Sequence, residues 1–265
     1  MSAVEPARLL RCTFLGTGTS QGVPIIGSDH PVCLSADPRD QRLRVSVWLE
    51  WDGGSVVVDC GPDFRYQMLR SGCRKLDALL ITHEHADHIA GLDDIRPFCH
   101  RQGPIPLYAT PRVLQDLEHR YAYIFSEVNK YPGAPSVQVQ AFEPGTAFVI
   151  GNRPIQSVPV WHGNWPVVGY RFGPLAYLTD VKTIEPAALA LLEGIEVLVV
   201  NALRYEPHPT HLNVDEAIAL ARLTSARQVY FTHISHHMGF HAEVNAQLPK
   251  GFALAHDGLQ LELTW

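Results

Sequence analysis

The sequence feature that most restricts this chain is a cluster of metal-binding residue types in the order His-x-His-x-Asp-His. The cluster contains His83, His85, Asp87 and His88, and it follows an apolar run at residues 78–81 that predicts a short buried strand. Alternate residues of an extended segment point the same way, so the first two histidines can reach one metal ion together. Asp87 and His88 come where the chain turns towards a helix and can face a second ion. Imidazole and carboxylate ligands together suit zinc, manganese or iron.

A solvated polar turn is the alternative interpretation of this cluster, but the number of ligand types directly after a buried strand favours a metal site. Two ions need further ligands, which we expect at the ends of other strands. Three residues are each the first ligand type after an apolar run. Any one of them alone would be interpreted as a surface or core residue, and the repetition indicates ligands. His162 follows residues 155–160, Asp180 follows residues 175–179, and His233 follows residues 228–232.

The apolar pattern predicts an α/β protein built from short, buried strands. Helical periodicity is found at residues 62–71, 111–123 and 214–223, and Asn213 is a suitable N-cap for the last of these helices. This order of elements fits a four-layer αββα sandwich, with two sheets face to face and helices outside. Strands are predicted at residues 9–15, 43–51, 55–59, 78–82, 155–160, 167–172, 175–179, 195–200, 228–232 and 259–263.

Glycine and proline mark the connections between these elements. Asp52-Gly53-Gly54 and Gly173-Pro174 predict tight turns between neighbouring strands, and Asp257-Gly258 predicts a hairpin before the last strand. Residues 131–144 are rich in both residue types and are predicted to form a connection or a surface hairpin. The sequence contains no domain linker, so we expect residues 1–265 to form a single domain.

Composition restricts the partners. The net charge is −6 and no dense Lys/Arg cluster is present, whereas a protein that binds long nucleic acid through phosphates should carry a basic face. A small anionic substrate is still compatible, because bound metal ions supply local positive charge.

The cysteines and the N-terminus indicate a cytoplasmic protein. The five cysteines are scattered and form no disulfide framework. Residues 1–10 carry Glu5 and Arg8 without a long apolar run, so no signal peptide is expected. No apolar stretch approaches the roughly 20 residues that cross a bilayer, and no membrane association is expected.

The histidine cluster and the later His, Asp and His at strand ends resemble the metallo-β-lactamase superfamily. The segments Leu-Gly-Thr-Gly-Thr-Ser-Gln-Gly-Val-Pro at residues 15–24 and Val-Asp-Cys-Gly at residues 58–61 resemble its phosphodiester branch. Thr-His-Ile-Ser-His at residues 232–236 and His-Asp-Gly at residues 256–258 narrow the resemblance to the phosphoribosyl cyclic phosphodiesterases (PhnP-like). Transfer-RNA 3′-processing endonucleases are similar at a greater distance.

The resemblance implies a ligand set for two divalent ions, zinc or manganese, with iron as a further option. His83, His85 and His162 are implied for the first ion, with Asp180 bridging. Asp87, which we also count among the catalytic residues, is implied for the second ion together with His88 and His233. Asp59 resembles the branch's carboxylate near the site, which orients a ligand histidine or the metal-bound water; capping of the turn before Gly61 is the other interpretation.

Two bound ions that share one water lower its pKa towards neutrality, and the resulting hydroxide can attack phosphorus. The leaving alkoxide needs a proton, which a positioned imidazole can supply. His211 lies just before a predicted helix and resembles the branch's histidine in that place, so it is our second catalytic candidate. A surface loop histidine is the alternative.

A structural zinc site in the resembling family is built by a cysteine-rich loop and the second histidine of Thr-His-x-Ser-His. In this chain, Ser28 and His30 stand where the family has cysteines. His30, Cys33 and His236 are the possible ligands that remain. A closed zinc site needs four, so either Asp29 or water completes it or the loop is held without zinc.

These features favour a hydrolase that cleaves a small, possibly cyclic, phosphodiester. An RNA 3′-processing nuclease is the first alternative, and it would need a basic docking insertion that we do not find. Hydrolysis of a lactone, thioester or amide bond is the second, since the fold does not fix the bond. A metal-binding module without turnover is the third.

Arg96, Tyr121, Tyr123 and Trp161 could line a pocket for a base or sugar, or be ordinary core and surface residues. Relatives of this kind are often dimers, so a homodimer is expected.

Overall fold

The computed structural model of the chain describes residues 9–126, 128 and 130–265. We predict no signal peptide in residues 1–10, and residues 1–8 of that segment lie outside the described residues. Two seven-stranded mixed sheets pack face to face, and helices cover both outer faces. The predicted four-layer αββα sandwich is therefore confirmed.

The first sheet combines an antiparallel half with a parallel half. Its strands are β1 (Leu9–Gly16), β2 (Ser46–Trp51), β3 (Gly54–Val58), β4 (Ala78–Leu80), β5 (Ile105–Ala109), β6 (Val137–Ala141) and β14 (Gln260–Thr264). They run in the order β14-β1-β2-β3-β4-β5-β6. Pairing is antiparallel from β14 to β3 and parallel from β3 to β6.

The second sheet repeats this arrangement. Its strands are β7 (Ala147–Ile150), β8 (Arg153–His162), β9 (Trp165–Phe172), β10 (Leu175–Leu178), β11 (Val197–Asn201), β12 (Gln228–Thr232) and β13 (Phe252–Leu254). They run in the order β13-β12-β11-β10-β9-β8-β7. Pairing is antiparallel from β7 to β10 and parallel from β10 to β13.

Apolar residues fill three layers of core, which explains the order of the elements. One cluster lies between the sheets and includes Leu49, Val58 and Tyr177. The other two lie under the helices on the outer face of each sheet. Parallel strands buried on both faces have continuous apolar sequences, as β4 and β11 do. The helices are α1 (Phe64–Ser71), α2 (Ala86–Ile89), α3 (Arg96–Gln102), α4 (Pro111–Arg120), α5 (Ala122–Phe125), α6 (Pro186–Ala190), α7 (Val214–Ala221) and α8 (His241–Gln247).

Local signals were reliable where a specific residue type was required. Asn213 caps α7 in a full capping box. Its side chain accepts a hydrogen bond from the backbone amide of Glu216, and the Glu216 carboxylate accepts one from the backbone amide of Asn213. The turn at Gly53 adopts the positive φ, 96°, that favours glycine. Within the described residues, no helix is both long enough and apolar enough to cross a membrane.

Two sequence expectations were wrong in part. The segment predicted as a connection or surface hairpin at residues 131–144 contains β6, which pairs in parallel with β5 at the sheet edge. Its alternating Val and Gln residues are half exposed there, so the strand lacks a continuous apolar run. Asp257 and Gly258 do form a turn, but the chain passes through it from β13 in one sheet to β14 in the other and makes no hairpin.

Candidate metal centre

The predicted ligands converge at one edge of the sandwich, beyond the carboxyl ends of its parallel strands. The segment with His83 follows β4, whereas Asp180 follows β10 and His233 follows β12. Parallel strands end along the same sheet edge, so side chains after them are close together. Two hydrogen bonds join the sheets here: the Tyr170 hydroxyl donates to Ile81 O at 2.6 Å, and the Val168 amide donates to Thr82 O at 3.1 Å.

The backbone is strained after β3, β10 and β12. Asp59, Asp180 and His233 have φ angles of 64°, 56° and 54°, and among the described residues they are the non-glycine residues with positive φ. Left-handed backbone costs an L-residue roughly 1–2 kcal/mol. Such conformations persist where the surrounding structure fixes them, often at functional sites. All three side chains are buried in the same cluster.

Asp180 stands at the middle of the cluster, between two sets of histidines. Its carboxylate oxygens lie 3.7 Å from His83 Nε2, 3.5 Å from His88 Nε2 and 3.2 Å from His233 Nε2. Asp87 Oδ2 lies 3.2 Å from His88 Nε2 and 3.6 Å from His233 Nε2. These separations leave room for ions between the ligand atoms.

The structure brings together all seven predicted metal ligands. Three groups of ligand atoms, each within 4.8 Å of one another, share the Asp180 carboxylate. They are Asp87, His88, Asp180 and His233; His83, His85 and Asp180; and His162, Asp180 and His211. The first two groups follow the division between two ions that the resemblance implies, whereas His162 falls in a third group with His211 and not with His83 and His85. Asp180 belongs to all three groups, and the assignment of ligands to two ions stays a prediction.

The buried nitrogen atoms fit metal ions on an independent criterion. Nε2 of His83, His88 and His233 is buried and has no hydrogen-bond partner among the residues that the structure describes, although buried polar atoms are almost always satisfied. Burial and the neighbouring His88 lower the pKa of His83 well below its ordinary value. A neutral imidazole with a free lone pair is the form that binds metals.

The charge of the cluster also favours bound metal ions. Burial by itself lowers the pKa of His88, but the carboxylates of Asp87, Asp59 and Asp180 raise it well above its ordinary value. Three carboxylates around one buried histidine concentrate negative charge, which is stabilised when cations bind nearby. Divalent ions bound between these side chains provide that stabilisation.

Hydrogen bonds outside the cluster fix the histidine rings. Asp59 Oδ2 lies 2.7 Å from His88 Nδ1, and Asp59 also accepts from the amide and hydroxyl of Thr82. His162 Nδ1 lies 2.7 Å from the carbonyl oxygen of Thr210. Both histidines therefore direct Nε2 inward, as metal-ligating histidines commonly do. The contact with His88 supports the orienting role of Asp59.

His211 lies inside the cluster, with its ring centre 4.3 Å from His162 and 4.7 Å from His233. Lys182 donates to the Glu216 carboxylate at 2.8 Å, and the capping box of α7 holds the same segment. Burial, with the nearby His233, lowers the pKa of His211 to about 2. Its distance from Asp180 also suits a ligand, so geometry permits either that role or the predicted proton transfer.

The residues of the predicted structural zinc site are only partly assembled. The ring centres of His30 and His236 lie 4.8 Å apart. Cys33 joins neither of them in a group of ligand atoms within 4.8 Å, judged over the described residues. His237 lies 3.9 Å from His236, ring centre to ring centre, and was missed. The zinc at this loop stays a prediction.

Sequence reasoning also missed a contact group beside His85. Trp165 packs against the His85 ring and donates to Glu84, which in turn binds Arg112. The tryptophan lies directly opposite His162 in the β8–β9 ladder. Its place just after the turn that follows His162 was the available signal. The aromatic candidates we did consider have other contacts: Tyr123, for example, donates to Asp93.

Comparison with known proteins identifies relatives over most of the chain. The profile of the beta-lactamase superfamily domain matches residues 55–234. The crystal structure of a diphosphatase from the PhnP family is 44% identical, covers 96% of this chain and 97% of its own, and superposes with a TM-score of 0.89.

Two curated proteins are also similar. An octanoyltransferase of Porphyromonas gingivalis is 38% identical over 254 residues, which are 95% of this chain and 51% of that protein. A ribonuclease Z of Bradyrhizobium diazoefficiens is 38% identical over 82 residues, which are 30% of this chain and 22% of that protein. The chain thus spans about half the length of the first relative and less of the second.

Proposed function

Because the chain belongs to the beta-lactamase superfamily and is PhnP-like, we propose that it is a metal-dependent hydrolase of small phosphodiesters. The observation that carries the proposal is the Asp180 carboxylate, whose Oδ2 lies 3.7 Å from His83 Nε2 and 3.5 Å from His88 Nε2 and whose Oδ1 lies 3.2 Å from His233 Nε2. A shared carboxylate between two imidazole sets is suited to a pair of divalent ions. The similarity to a diphosphatase and to a ribonuclease supports chemistry at phosphorus.

We assign His83, His85 and His162 to one ion, and Asp87, His88 and His233 to the other, with Asp180 shared. Bound there, zinc or manganese would supply an activated water and neutralise charge on the phosphate oxygens. The protein's own contribution is to hold the imidazoles in fixed tautomers. Asp59 does so for His88 and the Thr210 carbonyl for His162.

His211 is proposed to deliver a proton to the leaving oxygen. It is fixed by the segment that leads into α7 and lies beside His162 and His233. A positioned imidazole of this kind contributes about 10²–10⁴ to a rate. With a pKa of about 2 the ring starts neutral, so it would first accept a proton from the attacking water and then pass it to the leaving oxygen.

The substrate is proposed to be small. The net charge of −6 and the lack of a dense Lys/Arg cluster in the sequence favour a small substrate over long nucleic acid, whose binding needs a basic face. RNA processing and acyl-bond hydrolysis are the competing activities, and the ribonuclease and octanoyltransferase relatives are the reason to test both.

The test is hydrolysis of bis(p-nitrophenyl) phosphate by protein of known metal content, with and without added Mn²⁺ or Zn²⁺. A β-lactam, a thioester and a short RNA are assayed in parallel, and Asp180→Asn is the matched variant. We expect metal-dependent release from the diester, abolished by a chelator and by the variant. Turnover of the thioester or the β-lactam without any release from the diester would contradict the proposal.

A further inference from the structure

Trp165 is an exposed aromatic residue that is nevertheless held firmly beside the metal centre. It begins β9 directly opposite His162, so both side chains lie on the same face of the hairpin. Its ring centre lies 5.9 Å from that of His85, with 26° between the planes. Yet 44% of the residue is exposed to solvent.

Two polar contacts fix the indole, and their partners are bound to each other. Trp165 Nε1 donates to Glu84 Oε1 at 3.0 Å. The Arg112 guanidinium carbon lies 5.1 Å from the ring centre, in the range of a cation–π contact. Glu84 is 3% exposed and binds both terminal nitrogens of Arg112. The indole is thus attached to an ion pair whose carboxylate is buried and whose guanidinium is partly exposed.

Two more hydrogen bonds hold that ion pair in place. Arg112 also donates to the carbonyl oxygen of Pro166 at 2.9 Å, and Arg120 of α4 donates to the carbonyl oxygen of Glu84 at 3.0 Å. Such a fixed ring loses little conformational entropy when a ligand packs on it. An aromatic surface at a phosphate site is suited to a flat group, because bases and aryl rings stack on indole.

The order of the rings indicates which part of a substrate meets Trp165. From Trp165 the ring centres step 5.9 Å to His85, 5.4 Å to His162 and 4.3 Å to His211. His211, which we assign to the leaving oxygen, is therefore separated from Trp165 by two intervening histidine rings. A group that packs on Trp165 is then the one that stays on phosphorus.

We propose that Trp165 is a specificity-determining stacking surface for a planar group, a nucleobase or an aryl ring, on the ester that phosphorus retains. The inference rests on the proposed phosphodiesterase function. It narrows the substrate class to diesters with a nucleoside or aryl ester on the side of His85.

Two substrates with one leaving group separate this role from catalysis. Thymidine 5′-(p-nitrophenyl) phosphate and methyl p-nitrophenyl phosphate both release p-nitrophenol, but only the first retains a base. We expect Trp165→Ala to lower the ratio of their kcat/KM values about tenfold, or about 1.4 kcal/mol, chiefly through the KM of the nucleoside substrate. Trp165→Phe, which keeps a stacking face, should retain most of the ratio.

Tyr66→Ala is the control, because Tyr66 is an exposed aromatic residue of α1, with 56% of the residue exposed, and belongs to no part of the proposed site. It should leave the substrate ratio as in the parent protein. Damage to His85 slows both substrates equally and cancels in the ratio, and metal analysis of each variant reports it directly. Calorimetric titration with thymidine 5′-phosphate against methyl phosphate should show the same preference without turnover.

An unchanged ratio in Trp165→Ala overturns the inference, as does an equal fall for both substrates accompanied by metal loss, since Trp165 would then only support His85. A parent protein that hydrolyses neither diester with Mn²⁺ or Zn²⁺ bound overturns the proposed function instead. In that case a retained calorimetric preference for thymidine 5′-phosphate, lost in Trp165→Ala, still supports the stacking surface.

Discussion

Replacement of Asp59 by Asn should weaken metal binding while leaving the fold intact. Asp59 accepts from the Thr82 amide at 2.8 Å and lies 2.7 Å from His88 Nδ1. An asparagine keeps the oxygen that faces Thr82, so its amide group then faces His88. To accept from that amide, His88 must move its proton to Nε2, the atom that faces Asp87 and Asp180. A protonated Nε2 cannot bind a metal ion.

The size of the effect follows from the contact that is lost. A hydrogen bond to a charged group contributes about 1.5–3 kcal/mol, and loss of a partner behind a metal ligand typically lowers metal affinity about 10- to 100-fold. The two estimates agree, because each factor of ten corresponds to about 1.4 kcal/mol. The backbone should tolerate the change, since asparagine is among the residues that adopt positive φ most readily.

The assay is competition for Zn²⁺ or Mn²⁺ with a chromophoric chelator, together with circular dichroism of the metal-free protein. Asp63→Asn is the matched control, because that carboxylate binds Arg44. We expect the control to bind metal like the parent protein. Equal metal affinity of Asp59→Asn and the parent protein would refute the reasoning, and Asp59 would then serve only the turn.

Three further predictions test other parts of the molecule. His211→Ala should keep both ions and lose about 10²–10⁴ in kcat on the diester; a lower metal content would instead make His211 a ligand, and unchanged turnover would exclude the proton transfer. If the loop at His30 holds zinc, elemental analysis should find a third ion per chain, and His236→Ala should remove it; two ions in both proteins would count against this site. Arg42 is 4% exposed and donates to Thr17 Oγ1 and Ala255 O, so Arg42→Met should destabilise the metal-free protein by about 3 kcal/mol in urea unfolding. The exposed Arg39→Met is its control, and similar unfolding midpoints for the two variants would contradict the prediction.

The sandwich could be predicted because its strands carry their burial in local sequence. The run at residues 228–232 became β12 without any shift of its bounds. The edge strand β6 was missed, since a strand that is half exposed at a sheet edge needs few apolar residues. The sequence around Asp257 also did not show that the turn leads from one sheet to the other. The sheet that a strand joins depends on contacts distant in sequence.

For the site, ligand types after strands were enough to collect residues that are far apart in sequence. His83 and His233 are separated by 150 positions, yet both lie against Asp180. What the sequence does not reveal are contacts between elements. The Glu84–Trp165 hydrogen bond joins the loop after β4 to the start of β9, and neither local sequence indicates this contact.

The strained strand ends are a feature of the metal centre that its residue types alone do not indicate. Asp59, Asp180 and His233 all leave their strands with positive φ. Each turn directs a side chain into the cluster that a continuing strand would direct elsewhere. We expect the energy of these turns to be offset by metal binding, so the metal-free protein should be measurably less stable than the loaded one.

The most direct measurement of the central claim is anomalous X-ray diffraction from crystals grown with Mn²⁺ or Zn²⁺, recorded on both sides of the metal's absorption edge. The account predicts two peaks that flank the Asp180 carboxylate, one within reach of His83, His85 and His162 and one within reach of Asp87, His88 and His233. A single peak, or peaks remote from Asp180, would contradict a two-metal centre.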